Sequence, residues 1–108
     1  MKNQQKLIIK AIEAYDCYSD GQKKILSTLY KLSVDNTAII KVSRLSEITG
    51  YSRYMVYKSL KQFEQDGILK MSDGGQKLSN TFRFNESKIQ SIIDLYNKML
   101  QIITSKNI

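Results

Sequence analysis

The chain has no histidine, no proline and a single cysteine, Cys17, and each shortage removes a class of function. Without imidazole there is no Ser-His or Cys-His pair for nucleophilic catalysis, and one thiolate cannot build a zinc site. No acidic cluster has the spacing of a calcium-binding loop. Gly74-Gly75 lacks the strand-loop-helix setting of a phosphate-cradling loop. The expectation is a protein that is not an enzyme and uses no metal and no cofactor. A lone cysteine makes no internal disulfide, and no amino-terminal stretch has the apolar core of a signal peptide, so a reducing cytoplasm is the expected home. Cys17 itself reads as a small buried apolar residue, with redox sensing as the alternative. No apolar run approaches the roughly 20 residues that span a bilayer, and no membrane partner is expected. With no proline, internal repeat or low-complexity linker to divide them, the 108 residues read as one domain, 1–108.

What the chain does have is positive charge. Seventeen Lys and Arg against ten Asp and Glu give a formal charge of +7. That balance implies an acidic partner, nucleic acid ahead of a membrane surface; the alternative, a lysine-rich solvated surface, explains most of it. The excess leans toward residues 43–84, which carry seven basic and four acidic side chains.

Apolar spacing predicts a helix over residues 4–16 with Ile8, Ala11, Ile12 and Tyr15 on one face, suited to bracing or dimerisation. A membrane-surface helix is the weaker alternative, because the polar face is not markedly basic. Ser19-Asp20-Gly21-Gln22 fits a capping box that opens a helix to about Leu32, burying Ile25, Leu26, Leu29 and Leu32. Asp35-Asn36 supplies turn chemistry, and Ile39-Ile40-Lys41-Val42 reads as a short strand before Ser43 begins the next helix.

The stretch Leu45 to Ile68 organises the rest. Gly50 can take the positive φ of a tight turn between two helices, and Ser52 can cap a helix that starts near Arg53. In that helix Val56, Leu60 and Phe63 share one arc, whereas Tyr54, Tyr57, Lys58, Lys61 and Gln65 gather opposite. Asp66-Gly67 ends it. Two β-prone runs follow, Ile68 to Met71 and Asn80 to Phe84, around an Asp-Gly-Gly turn, with Phe82 and Phe84 directed to the core. Asn85 can cap a last helix, residues 86–104, whose stripe of Ile89, Ile92, Ile93, Tyr96, Met99, Leu100 and Ile103 exceeds what so small a domain buries against itself. Pairing with a second copy is the expected use.

The run Leu45-x-x-Ile48-x-Gly50-x-Ser52-Arg53-x-x-Val56-x-x-x-Leu60-x-x-Phe63-Glu64-x-x-Gly67-Ile68 resembles the core of the winged helix-turn-helix superfamily of DNA-binding proteins. The resemblance covers residues 20–84. It implies a mainly α fold with a small β-hairpin, a winged helix-turn-helix with extra amino- and carboxy-terminal helices. The expected function is a homodimer that binds double-stranded DNA through the recognition helix, residues 52–66, and the wing, residues 68–84, as a small transcriptional regulator. Short winged proteins of plasmids and phages are also similar; they bind centromere or transfer-origin repeats as adaptors for a segregation filament protein or a relaxase. A winged module that binds protein instead of DNA is the third possibility.

The residue types suit DNA, since guanidinium, ammonium, hydroxyl and phenol groups meet base edges and phosphates in a major groove. The candidate contacts on the helices are Ser43, Arg44, Ser52, Arg53, Tyr54, Tyr57, Lys58 and Lys61, and on the wing Lys70, Lys77 and Arg83. Arg53 can equally be a solvated surface residue, the wing cations can serve to keep an edge hairpin soluble, and Tyr51, Tyr54 and Tyr57 can be partial-core aromatics. Glu64 and Asp66 should repel phosphate and confine contact to the first three turns of the helix.

Overall fold

The computed structural model describes residues 2–72 and 79–106. Along the chain run α1 (Lys2–Glu13), α2 (Asp20–Lys31), β1 (Thr37–Ile40), α3 (Val42–Thr49), α4 (Arg53–Gln65), β2 (Leu69–Ser72), β3 (Asn80–Phe84) and α5 (Glu86–Lys106). The local signals account for most of these boundaries. Ser19 Oγ accepts from the Gln22 amide at 3.2 Å while the Ser19 amide donates to Gln22 Oε1 at 3.0 Å, the reciprocal pair that starts α2. Gly50 closes α3 at φ 81°, and Gly67 turns the chain out of α4 at φ 77°.

Asp35 and Asn36 both have positive φ, 52° and 64°, and Val34 and Thr37 exchange hydrogen bonds of 2.8 and 3.0 Å across them. This two-residue turn pins the strand to start at Thr37, two residues before the expected Ile39. Val42, expected at the strand's end, is the first residue of α3. The helix expected over 4–16 stops at Glu13. Leu32, expected in the core, caps α2 and is 45% exposed, and Cys17 is exposed instead of buried.

The sheet has three antiparallel strands in the order β1-β3-β2, so the expected hairpin gains a third member. Thr37 lies opposite Arg83 and Ile40 opposite Asn80; on the other side Lys70 lies opposite Arg83. The inner face carries Ala38, Ile40, Leu69, Phe82 and Phe84, all buried, and the outer face shows Ile39, Lys70 and Arg83. Helices fill the space below that face. Ile25, Leu26 and Leu29 of α2, Leu45 of α3, and Val56, Leu60 and Phe63 of α4 are completely buried, a burial worth about 1.5–3 kcal/mol for each large apolar side chain.

Asn85 Oδ1 accepts from the Lys88 amide at 3.3 Å and opens α5. Its first turns do not stand free: Ile89, Ile92 and Ile93 are buried, with α1 packed against α5. The bracing role expected of α1 is thereby filled within one chain. Beyond Tyr96 the helix sheds its cover, and Leu100 and Ile103 are 43% and 55% exposed; the unanticipated Leu95 and Ile102 are 45% and 56% exposed. The chain measures 56 × 26 × 24 Å. No helix among the described residues is long and apolar enough to cross a membrane.

Candidate nucleic-acid interface

Helix α4 is held on three sides. Its amino terminus is capped by Ser52, whose Oγ accepts from the Met55 amide at 3.1 Å. Its inner face is the Val56, Leu60 and Phe63 ridge. At its far end Asp66 accepts from the buried Tyr18 hydroxyl at 2.5 Å and from Gln62 Nε2 at 3.0 Å. The Tyr18 ring also meets Phe63 and Tyr15 edge-on, at centroid distances of 5.1 and 5.4 Å. Burial first, then the hydrogen bond to Asp66, push the Tyr18 phenol well above its ordinary pKa. Glu64 is likewise occupied, because its Oε2 accepts from the Met71 amide of β2 at 3.0 Å. The two carboxylates expected to repel phosphate are thus fasteners, one to the α1–α2 connection and one to the edge of the sheet.

The outer face of α4 is free of such ties. Arg53, Tyr54, Tyr57, Lys58 and Lys61 are all exposed, Tyr54 by 74%. Lys58 Nζ lies 5.9 Å from the Tyr54 ring centroid and Lys61 Nζ 5.4 Å from that of Tyr57, two stacked pairs at i, i+4 spacing. Of the three tyrosines with two readings, Tyr51 packs half-buried against the core while Tyr54 and Tyr57 do not.

The remaining candidates are dispersed. Ser43 is half-buried in the first turn of α3, and Arg44 is exposed but bonded to Glu47 Oε2 at 3.0 Å, which reduces its free charge. Lys70 and Arg83 sit side by side across β2 and β3, in a groove with Glu64 and Gly67 at the carboxy-terminal end of α4. That is about 18 Å along the helix from Arg53, at 1.5 Å rise per residue. Lys77 lies outside the described residues. Among the described residues, ion pairs form only between Lys23 and Asp16 and between Arg44 and Glu47, so Arg53, Lys58, Lys61, Lys70 and Arg83 pair with no described carboxylate. No group of three or more Cys, Asp or Glu side chains among those residues is placed to hold a metal ion.

Sequence reasoning missed Lys24. Its ammonium stands 5.9 Å from the centroid of Tyr51, joining α2 to the turn before α4. Nothing in the spacing announces this pairing, because 27 positions separate the two residues and only the fold brings them together.

No protein-family model matches the chain, and no curated protein matches it in sequence. Solved structures do resemble it. A possible transcriptional regulator from Methanosarcina mazei Go1 superimposes with a TM-score of 0.60 at 13% identity, over 91% of this chain and 82% of that one. A mutant of MepR from S. aureus, bound to an oligodeoxyribonucleotide, superimposes with a TM-score of 0.58 at 13% identity, over 96% of this chain and 76% of that one. Likeness at that identity speaks to architecture, and with the element order and sheet described above it makes the chain a winged helix-turn-helix flanked by α1 and α5.

Proposed function

We propose that the chain binds double-stranded DNA as a homodimer and regulates transcription from the bound site. The outer face of α4, from Ser52 to Lys61, would enter the major groove, and the wing, including Lys70, Arg83 and the expected tip residue Lys77, would grip backbone or minor groove. One observation carries this reading: a recognition helix whose exposed face holds three cations and two tyrosines, while the acids at its end are bound elsewhere. Support also comes from MepR, a protein of the same architecture whose structure contains an oligodeoxyribonucleotide.

The proposed dimer forms through the carboxy-terminal half of α5, where Met99, Leu100 and Ile103 continue the stripe past the part packed on α1. Two copies would present two α4 helices about 34 Å apart, one DNA turn, on adjacent half-sites. Footprinting on the DNA around its own gene tests the whole reading. A single protected palindrome in the promoter fits a regulator, clustered direct repeats fit an adaptor for segregation or conjugative transfer, and no protected region on any duplex rejects DNA binding.

A further inference from the structure

Resting on the DNA-binding reading above, we propose that Lys24 of α2 is a further phosphate contact, outside both the helix-turn-helix and the wing, that extends the interface past the amino-terminal end of α4. Helix α2 passes very near that end. A Cβ placed on Gly21 would come within 2.8 Å of Met55 Cε and 3.3 Å of Tyr51 Cζ, so a residue without a side chain stands at the crossing. Lys24 is three residues on, on the same face of α2. Its ammonium is held over the ring of Tyr51, the residue directly before the Ser52 cap.

Charge bookkeeping separates Lys24 from its neighbours. Lys23 is bridged to Asp16 at 3.6 Å, whereas Lys24 is exposed and forms no ion pair among the described residues. It repeats the arrangement of Lys58 over Tyr54 and Lys61 over Tyr57, so three ammonium groups are held over three phenol rings from α2 along α4. A ring beneath a flexible four-carbon stem restricts it before binding, which lowers the conformational entropy lost when the ammonium meets an anion. When a recognition helix lies in the major groove, the first helix of the pair, here α3, crosses the sugar-phosphate backbone, and α2 packs against both α3 and α4. The occupant that matches an unpaired, ring-held ammonium at that place is a phosphate of the same duplex.

The test is the salt dependence of binding to duplex DNA from the protein's own locus, for the wild type, Lys24→Gln, Lys24→Arg and Lys31→Gln. Each lost phosphate contact lowers the slope of log affinity against log salt by about 0.9 and weakens binding roughly fivefold at 0.15 M salt. Lys24→Gln should show that loss per subunit, equally on specific and unrelated duplexes. Lys24→Arg should keep the slope, and Lys31→Gln, two turns farther along α2, should match the wild type. Far-UV circular dichroism identical to the wild type confirms that exposed Lys24 is not needed for folding. A Lys24→Gln slope equal to the wild-type slope overturns this assignment while leaving the DNA-binding reading standing. Absence of any wild-type binding overturns both.

Discussion

Replacing Tyr18 with phenylalanine removes one oxygen atom and tests how α4 is held at its far end. The ring keeps its contacts with Phe63 and Tyr15, so no cavity opens and the change isolates the hydrogen bond to Asp66. Hydrogen bonds to a charged partner contribute roughly 1.5–3 kcal/mol. Asp66 is exposed, however, and its carboxylate recovers water when the hydroxyl leaves, which brings the expected loss to about 1 kcal/mol. In a domain of this size that lowers the melting temperature by about 4–6 °C. Urea unfolding of the wild type, Tyr18→Phe, Asp66→Ala and the double variant supplies a closed cycle, and the two sites should couple by about 1 kcal/mol. A Tyr18→Phe variant within 0.3 kcal/mol of the wild type, or strict additivity in the cycle, would refute the reasoning.

Three other outcomes follow from the structure. Gly67→Ala should cost about 1–2 kcal/mol in urea unfolding, purely from its φ of 77°, because nothing lies within 4 Å of an added Cβ. Stability should also fall as the pH rises past about 10. Tyr18, Tyr15 and Tyr30 all have raised pKa values, chiefly through burial, so the unfolded chain releases protons that the folded chain retains. Urea midpoints should hold steady up to about pH 9 and then decline, less steeply in Tyr18→Phe; equal declines in both proteins would count against the assignment. Leu100→Glu with Ile103→Glu should turn the proposed dimer into a folded monomer by light scattering, and a variant that remains dimeric places the interface elsewhere.

Features set by a few neighbouring residues were legible in the sequence. The Ser19–Gln22 box, the Ser52 cap, the positive φ of Gly50 and the end of α4 at Asp66-Gly67 each depend on contacts within a turn, and the inward ridge of α4 follows from helical period. Features that depend on distant partners were not legible. The start of β1 is fixed by the Asp35-Asn36 turn and by pairing with β3 more than forty residues away, so its boundary moved from Ile39 to Thr37. The stripe on α5 looks continuous in sequence, yet α1 covers Ile89, Ile92 and Ile93 and leaves only the distal half open. Glu64 and Asp66 read as free acids in sequence, whereas the fold engages them with the Met71 amide and the Tyr18 hydroxyl. Those bonds fix where the two carboxylates sit, at the far end of α4 from Arg53, while their negative charge remains.

The proposed role of this exposed face is to bind DNA through phosphate neutralisation. Fluorescence anisotropy on a duplex from the protein's own locus, across a salt series, measures it directly for the wild type and for Lys58→Ala with Lys61→Ala. Log affinity should fall steeply and linearly with log salt in the wild type, with a slope smaller by about 1.8 per subunit in the double variant. Wild-type and variant slopes that coincide, or a wild type that binds no duplex at low salt, would contradict it.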